Sequence, residues 1–389
     1  MHRIFVRLVA IVAVVSGTAL VNVGTAANGP VDVTLQRLDG VALKATYFSP
    51  GRPGPGIMLL HQCNADRTSW ASFAAKAAER GYHVLALDYR GYGESGGDRF
   101  DTFQEQQPVI DQKWPGDIDA AFDWLISRDG VDRSRIGAAG ASCGVNQSLL
   151  LARRHPEVKT LVLLSGGSTP PAREYLRQTP GLPVFAAASR DDGDAVTGMK
   201  WILGWSSNTH NRFVEFEAAG HGTDMFDVER GLPPMILDWF DARLRTAPAE
   251  LTKPAATLPS SPVEEFWTAL TAPGGIERAR RIFDESRRQN PAPVLFPEGE
   301  LNLHGYALLQ EGRAKDAIAV FEMNVAAYPG SANTYDSLSD AHLAAGNDED
   351  ALRLAEKALE VLASQKGLNP EFAALVRESA EQKIKQLKK

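Results

Sequence analysis

Residues 136–144 read Ile136-Gly137-Ala138-Ala139-Gly140-Ala141-Ser142-Cys143-Gly144, and a helical pattern runs on from Val145 to Arg154. Ile136 to Ala139 is a short apolar run of the kind that forms a buried strand. Gly140 and Gly144 flank a serine on a turn so sharp that bulky neighbours would clash. The pattern is G-x-S-x-G in a strand–turn–helix setting, and the setting gives a weak motif its weight. Such a turn strains Ser142 and lifts its hydroxyl above the sheet edge. It also sets the unpaired N–H groups of a helix start beside any negative charge that develops there. Ser142 is therefore the candidate nucleophile.

On either side the same alternation continues. Strand-like runs occur at Ile57–Leu60, Val84–Leu87, Leu161–Leu164, Val184–Ala187 and Phe213–Phe216. Helical patterns lie near 68–80, 116–128, 144–155, 194–204 and 233–245. Apolar strands separated by helices predict a mostly parallel sheet with helices on both faces, an α/β fold. Residues 31–37 and 41–48 flank Asp39-Gly40, which predicts a hairpin and an antiparallel edge.

Three further stretches bear on chemistry. Leu60-His61-Gln62-Cys63 follows the Ile57–Leu60 strand, Ser189-Arg190-Asp191-Asp192-Gly193-Asp194 follows the Val184 strand, and Ala218-Ala219-Gly220-His221-Gly222 follows the last strand. With the serine turn and Asp88-Tyr89-Arg90-Gly91-Tyr92-Gly93-Glu94-Ser95, they make residues 31–245 resemble the α/β-hydrolase superfamily, in particular its dienelactone-hydrolase-like branch. The resemblance implies a triad in the order serine, acid, histidine. His221 is then the base, because His155 is too near Ser142 and His210 precedes the last strand. Counting from Ser189, the acid is Asp192, with Asp191 and Asp194 as alternatives. The acid would orient the imidazole and stabilise its cation. The oxyanion donors would be the backbone N–H of Cys143 and one from the 61–63 loop, Cys63 or alternatively Gln62. The His61 ring is expected to be structural, and the Asp88–Ser95 turn likewise. Dienelactone hydrolases carry cysteine as nucleophile, whereas here Ser142 holds that place and Cys143 comes one residue late. Their substrate is therefore not carried over.

Cys63 and Cys143 are the only cysteines of the chain. Both fall on loops that the resemblance brings to the oxyanion. Either they form a disulfide that pins those loops, or they are two small neighbouring thiols. Two cysteines exclude a disulfide framework and a cysteine-rich zinc site.

Beyond residue 245 the composition changes. Residues 246–263 hold Pro248, Pro254, Pro259 and Pro262 among Ala, Thr and Ser, and read as a linker. From 264 to 389 the pattern is helical and repetitive. Gly312…Ala317…Phe321…Pro329 recurs as Gly346…Ala351…Ala355, 34 residues on, and Gly274…Ala279…Phe283…Pro291 has the same internal spacing. With Leu301 and Gly305 at packing positions, this stretch resembles tetratricopeptide repeats. That resemblance implies a concave surface for a protein or peptide partner, closed by a polar capping helix over 369–388. Lys383, Lys385, Lys388 and Lys389 read as the solvated side of that helix.

The 389 residues are 44% hydrophobic and 23% charged, a composition of ordinary globular proteins. The net charge of -7 lacks the footprint of a nucleic-acid binder. At the start, Arg3 and Arg7 precede an apolar run over Leu8–Val23 and small residues at 24–27. This predicts a signal peptide over residues 1–27, an exported (periplasmic or secreted) protein, and no stable membrane span after cleavage. The alternative, a membrane anchor, has only 16 residues against the roughly 20 that span a bilayer. No metal cluster, phosphate loop or dinucleotide fingerprint occurs, so no cofactor is expected. Residues 165–182 are too few for a large lid. The stretch 92–115, with Phe100, Phe103 and Trp114, is a candidate overhang, and Trp201 and Trp205 either line the site or pack on the sheet. An open site suits soluble small-molecule esters or acyl groups. The functional expectation is an exported serine hydrolase cleaving carboxylic esters through an acyl-enzyme. The alternatives are a serine peptidase of the same fold and an inert hydrolase domain in a repeat-type binding protein.

Overall fold

Every residue of Gly54–Leu60, His83–Leu87 and Val184–Ser189 is buried. A strand buried along its whole length has both faces covered, as in a parallel sheet between two helical layers. The computed structural model describes residues 28–100, 103–245, 260–290, 294–365, 368 and 370–388, and that sheet lies within it. The expected signal peptide over 1–27 and most of the expected linker lie outside the described residues.

The strands are β1 (Asn28–Gln36), β2 (Ala42–Ser49), β3 (Gly54–Leu60), β4 (His83–Leu87), β5 (Val131–Ala141), β6 (Val158–Leu164), β7 (Val184–Ser189) and β8 (Arg212–Phe216). Their order is β1-β2-β4-β3-β5-β6-β7-β8. The β1–β2 hairpin turns at Asp39-Gly40, and β2 pairs antiparallel with β4. The remaining pairs are parallel. This is the α/β-hydrolase fold. The helices of this half are α1 (Ala71–Glu79), α2 (Phe103–Gln112), α3 (Trp114–Ile126), α4 (Cys143–Arg154), α5 (Pro170–Gln178), α6 (Ala195–Gly204), α7 (Met225–Val228) and α8 (Leu232–Leu244).

The period of two along each strand divides the core. Met58, Leu60, Leu161, Leu163 and Ala186 face the layer of α3, α4, α5 and α6. Ile57, Leu59, Val162, Leu164 and Phe185 face α1 and α8. Trp114, expected as part of an overhang, is fully buried and stacks on Tyr89 with ring centroids 3.9 Å apart. It is core because α3 starts at that residue and points its first turn at the sheet.

Seven helices follow among the described residues: α9 (Pro262–Thr271), α10 (Ile276–Gln289), α11 (Glu298–Gln310), α12 (Ala314–Ala327), α13 (Ala332–Ala344), α14 (Asp348–Ser364) and α15 (Pro370–Leu387). The stretch read as linker ends inside α9, because Ser261 caps that helix by accepting from the Glu264 N–H at 3.1 Å, and Pro262 fits its first position. The starts of α11 and α13, and of α12 and α14, are each 34 residues apart.

The helical half packs against α5 and α6. Trp201 and Trp205 form an aromatic cluster with Trp267 of α9, at centroid distances of 5.7 and 6.4 Å. They are thus interdomain contacts and do not line the serine turn. Arg173 lies over the Trp201 ring, 4.3 Å from its centroid, and Arg177 pairs with Glu264 at 3.1 Å. One apolar cluster runs unbroken from Leu163 and Met199 through Val263 and Phe266 to Phe321.

Lys383 departs from its expected solvated position. Its ammonium is buried against Asp336 and Asp340 of α13, at 2.9 and 2.6 Å. Lys388 reaches Glu356 at 2.7 Å. An ammonium on α15 that meets two carboxylates on α13 fixes how the terminal helix docks. Removing one partner of a buried pair strands the other charge, at about 3–5 kcal/mol. Lys383→Met is accordingly expected to lower unfolding free energy by about 3 kcal/mol, and Lys383→Met with Asp336→Leu to recover much of it. Urea denaturation of the three proteins checks this.

Candidate active site

The serine turn depends on close backbone packing. A Cβ on Gly140 would collide with the Gly144 carbonyl, and one on Gly144 with the Leu60 carbonyl. Between them Ser142 adopts φ 53° and ψ −118°, left-handed backbone that side chains other than glycine rarely take. The conformation is held from both sides. The Ser142 N–H donates to the Leu164 carbonyl at 2.8 Å, and its own carbonyl accepts from Val145 at 2.9 Å. α4 begins at the next residue.

His221 stands on the loop after β8, and Asp192 on the loop after β7. The His221 Nδ1 and an Asp192 carboxylate oxygen are 2.7 Å apart. Asp191 and Asp194 are placed differently. Asp191 accepts from the Ser189 hydroxyl and from the Gly220 N–H at 3.2 Å, which ties the two loops together and holds its carboxyl below the usual range. Asp194 stands at the N-terminus of α6. The Asp192 hydrogen bond raises the His221 pKa above the ordinary imidazole value, against partial burial. Of the other two histidines weighed, His155 Nε2 is 2.9 Å from Asp119 and the His210 side chain is exposed.

The serine turn, the histidine loop and the 61–63 loop meet. A Cβ on Gly222, whose φ is +58°, would lie 3.3 Å from the Ala141 Cβ and would strike the Gln62 side chain. Gln62 is fully buried and spans the gap. Its Oε1 accepts from the Thr223 N–H at 2.8 Å and from the Thr223 hydroxyl at 3.0 Å, and its Nε2 donates to Asp224 at 3.3 Å. Sequence reading considered only the backbone of Gln62. A polar side chain between an apolar strand and a cysteine was the available signal. Cys63 and Cys143 are joined as a disulfide with Cα atoms 5.8 Å apart. The N–H groups of Gln62, Cys63 and Cys143 carry no hydrogen bond among the described residues, and neither do Ser142 Oγ and His221 Nε2.

The polar residues around these loops bond one another and the backbone. His61 Nδ1–H donates to the Gln62 carbonyl at 2.7 Å and its Nε2 accepts from the Tyr89 N–H at 3.1 Å, which fixes a neutral ring. Burial pushes its pKa down. Asp88 accepts from the N–H of Arg67 and of Glu94 at 2.7 and 2.9 Å and pairs with the Arg67 guanidinium. Arg90 holds Asp117 with bonds of 2.7 and 2.9 Å. Beside the disulfide opens a cleft of about 880 Å³, lined by Cys63, Asp66, Arg67, Glu94, Arg99 and Phe100 among others. Its walls are mainly polar and carry both signs of charge.

Residues 39–195 match the X-Pro dipeptidyl-peptidase (S15) family. The Mycobacterium tuberculosis protein Rv2307c is 33% identical over 136 residues, which are 34% of this chain and 44% of that protein. The Arabidopsis thaliana alpha/beta hydrolase domain-containing protein WAV2 is 30% identical over 189 residues, 48% of this chain and 52% of that protein. The chain thus spans about half the length of these relatives or less. A dienelactone hydrolase from Anabaena variabilis superposes with a TM-score of 0.42 at 19% identity, over 56% of this chain and 99% of that one.

The imidazole–carboxylate contact has a direct signature. In an NMR titration, His221 is expected to titrate above an ordinary histidine. Asp192→Asn removes the partner that favours the imidazolium, so the midpoint moves to lower pH. Asp194→Asn leaves it in place. A midpoint unmoved by Asp192→Asn would contradict the assignment.

Proposed function

We propose that the chain is a serine hydrolase that cleaves carboxylic esters or related acyl bonds, with Ser142 as nucleophile, His221 as base and Asp192 as its orienting acid. The observation that carries this reading is the His221–Asp192 hydrogen bond, made by a loop packed against the strained turn that bears Ser142. Bonded through Nδ1, the imidazole keeps Nε2 for the serine proton. Ser142 Oγ attacks the acyl carbonyl as Nε2 takes its proton. The oxyanion forms at the start of α4, where the Cys143 N–H and the Cys63 or Gln62 N–H are unpaired and can donate. Each such donor is worth about 100- to 1000-fold in rate. His221 then protonates the leaving group, and water hydrolyses the acyl-enzyme by the same route in reverse. The polar cleft beside Cys63 supports soluble substrates over long-chain lipids. No step calls for a cofactor.

Peptide bonds are the second reading, supported by the S15 match over residues 39–195. The 34-residue displacement of successive helix pairs supports tetratricopeptide-like repeats in the helical half, with a protein or peptide as partner. The disulfide supports export into an oxidising compartment.

Two experiments separate these readings. A fluorophosphonate probe is expected to add once to the protein by intact mass and not at all to Ser142→Ala. Asp192→Asn is expected to lower kcat by roughly 10³- to 10⁴-fold. No adduct on the folded protein would remove the catalytic reading. p-Nitrophenyl butyrate is expected to turn over and glycyl-prolyl p-nitroanilide not to. The opposite preference would establish the peptidase.

A further inference from the structure

The loop His61-Gln62-Cys63 joins to both of the other loops of the site, once by a covalent bond and once by hydrogen bonds. Its covalent arm is the Cys63–Cys143 disulfide, which ends on the residue after the nucleophile. Its hydrogen-bonded arm is the Gln62 amide, which holds Thr223 and Asp224 just after His221. The loop is fixed at its root as well, because the His61 ring bonds both its own loop and the Tyr89 N–H, and the Leu60 carbonyl abuts Gly144. The serine turn and the histidine loop are thus both tied to one tripeptide.

We propose that this tripeptide is a redox-sensitive brace of the catalytic centre: Gln62 is a positioning residue for His221, and reduction of the Cys63–Cys143 bridge switches the hydrolase to a low-activity state without unfolding it. The inference rests on the serine-hydrolase reading above. Three observations favour it. The bridge is reachable, since Cys63 lines the wide cleft and both cysteines are only partly buried. Catalysis has a narrow geometric tolerance, so a small relaxation of the oxyanion loop costs rate before it costs fold. The carboxyl edge of the sheet beneath the bridge is also held by the β3–β5 pairing and a buried core.

The chemistry balances with a dithiol as reductant. One thiolate of the dithiol attacks a bridge sulfur and forms a mixed disulfide, and the departing cysteine takes a proton. The second thiol then closes the reductant into its own disulfide and releases the other cysteine as a thiol. Two electrons and two protons pass to Cys63 and Cys143.

Gln62 acts through the histidine loop. Replacing it with leucine removes both bonds to Thr223 and the bond to Asp224, the second acidic residue whose charge raises the His221 pKa. A positioning role therefore predicts a lower kcat with little change in KM, together with a displaced acid limb in the pH profile. A purely structural role would lower stability and leave that limb where it is.

The test uses the whole protein, p-nitrophenyl butyrate turnover and fluorophosphonate labelling rate, with and without dithiothreitol. Thiols are counted on the folded protein, and circular dichroism follows the fold. Reduction is expected to uncover two thiols, to lower kcat and the labelling rate roughly tenfold or more, and to leave the dichroism spectrum unchanged. Reoxidation is expected to restore the rate. Cys63→Ser with Cys143→Ser is expected to match the reduced protein and to ignore dithiothreitol. Gln62→Leu is expected to lower kcat in the oxidised state. An oxidised protein that is active and keeps its rate on reduction overturns the switch and leaves the hydrolase reading intact. A Gln62→Leu protein with unchanged kcat and pH profile overturns the positioning role. An oxidised, folded protein that neither turns over ester nor takes the probe overturns the hydrolase reading, and the brace with it.

Discussion

The contact between Gly144 and the Leu60 carbonyl governs the carboxyl edge of the sheet. Backbone meets backbone there, with no room for a Cβ. Because α4 starts that close to the end of β3, the loop leaving β3 must lie across the start of the helix. The Cys63–Cys143 disulfide follows from that proximity. The parallel pairing of β3 with β5 sets the two strand ends level, Leu60 opposite Gly140, so that their loops emerge side by side.

The strands could be read from the sequence because burial on both faces leaves continuous apolar runs. The serine turn, the histidine loop and the aspartates after β7 could be singled out because backbone geometry restricts the residues that flank them. Other elements left fainter traces. α2 is rich in glutamine and contains Pro108, and α5 is only nine residues long and opens with Pro170 and Pro171, so both leave short traces. Lys383 looks like any surface lysine, because its partners stand more than forty residues away. Trp201 and Trp205 show a side chain that needs cover without showing what covers it. The Gln62 clamp reaches across 161 residues of chain to Thr223, a separation that no local pattern encodes.

The two halves of the chain share a core. Arg173 illustrates how. It is almost fully buried, stacked on Trp201 of the sheet domain, with Glu300 of the helical half 3.6 Å from its guanidinium. α5 and α6 follow the strands β6 and β7, whose carboxyl ends carry the Ser142 support and the Asp192 loop. Helices gripped by the second domain thus lead directly from the loops that build the site. The helical half is packed against those helices through a shared core.

Ser142 shows what the site costs its own scaffold. Left-handed backbone at a residue with a side chain is disfavoured by about 1–3 kcal/mol, and glycine would adopt it without that penalty. A sequence optimised for stability alone would place glycine at 142. The serine there means that the domain carries a permanent handicap in folding free energy. That handicap is a large share of the 5–15 kcal/mol by which a typical domain stays folded. The packed strands on both sides of β5 are what make it tolerable.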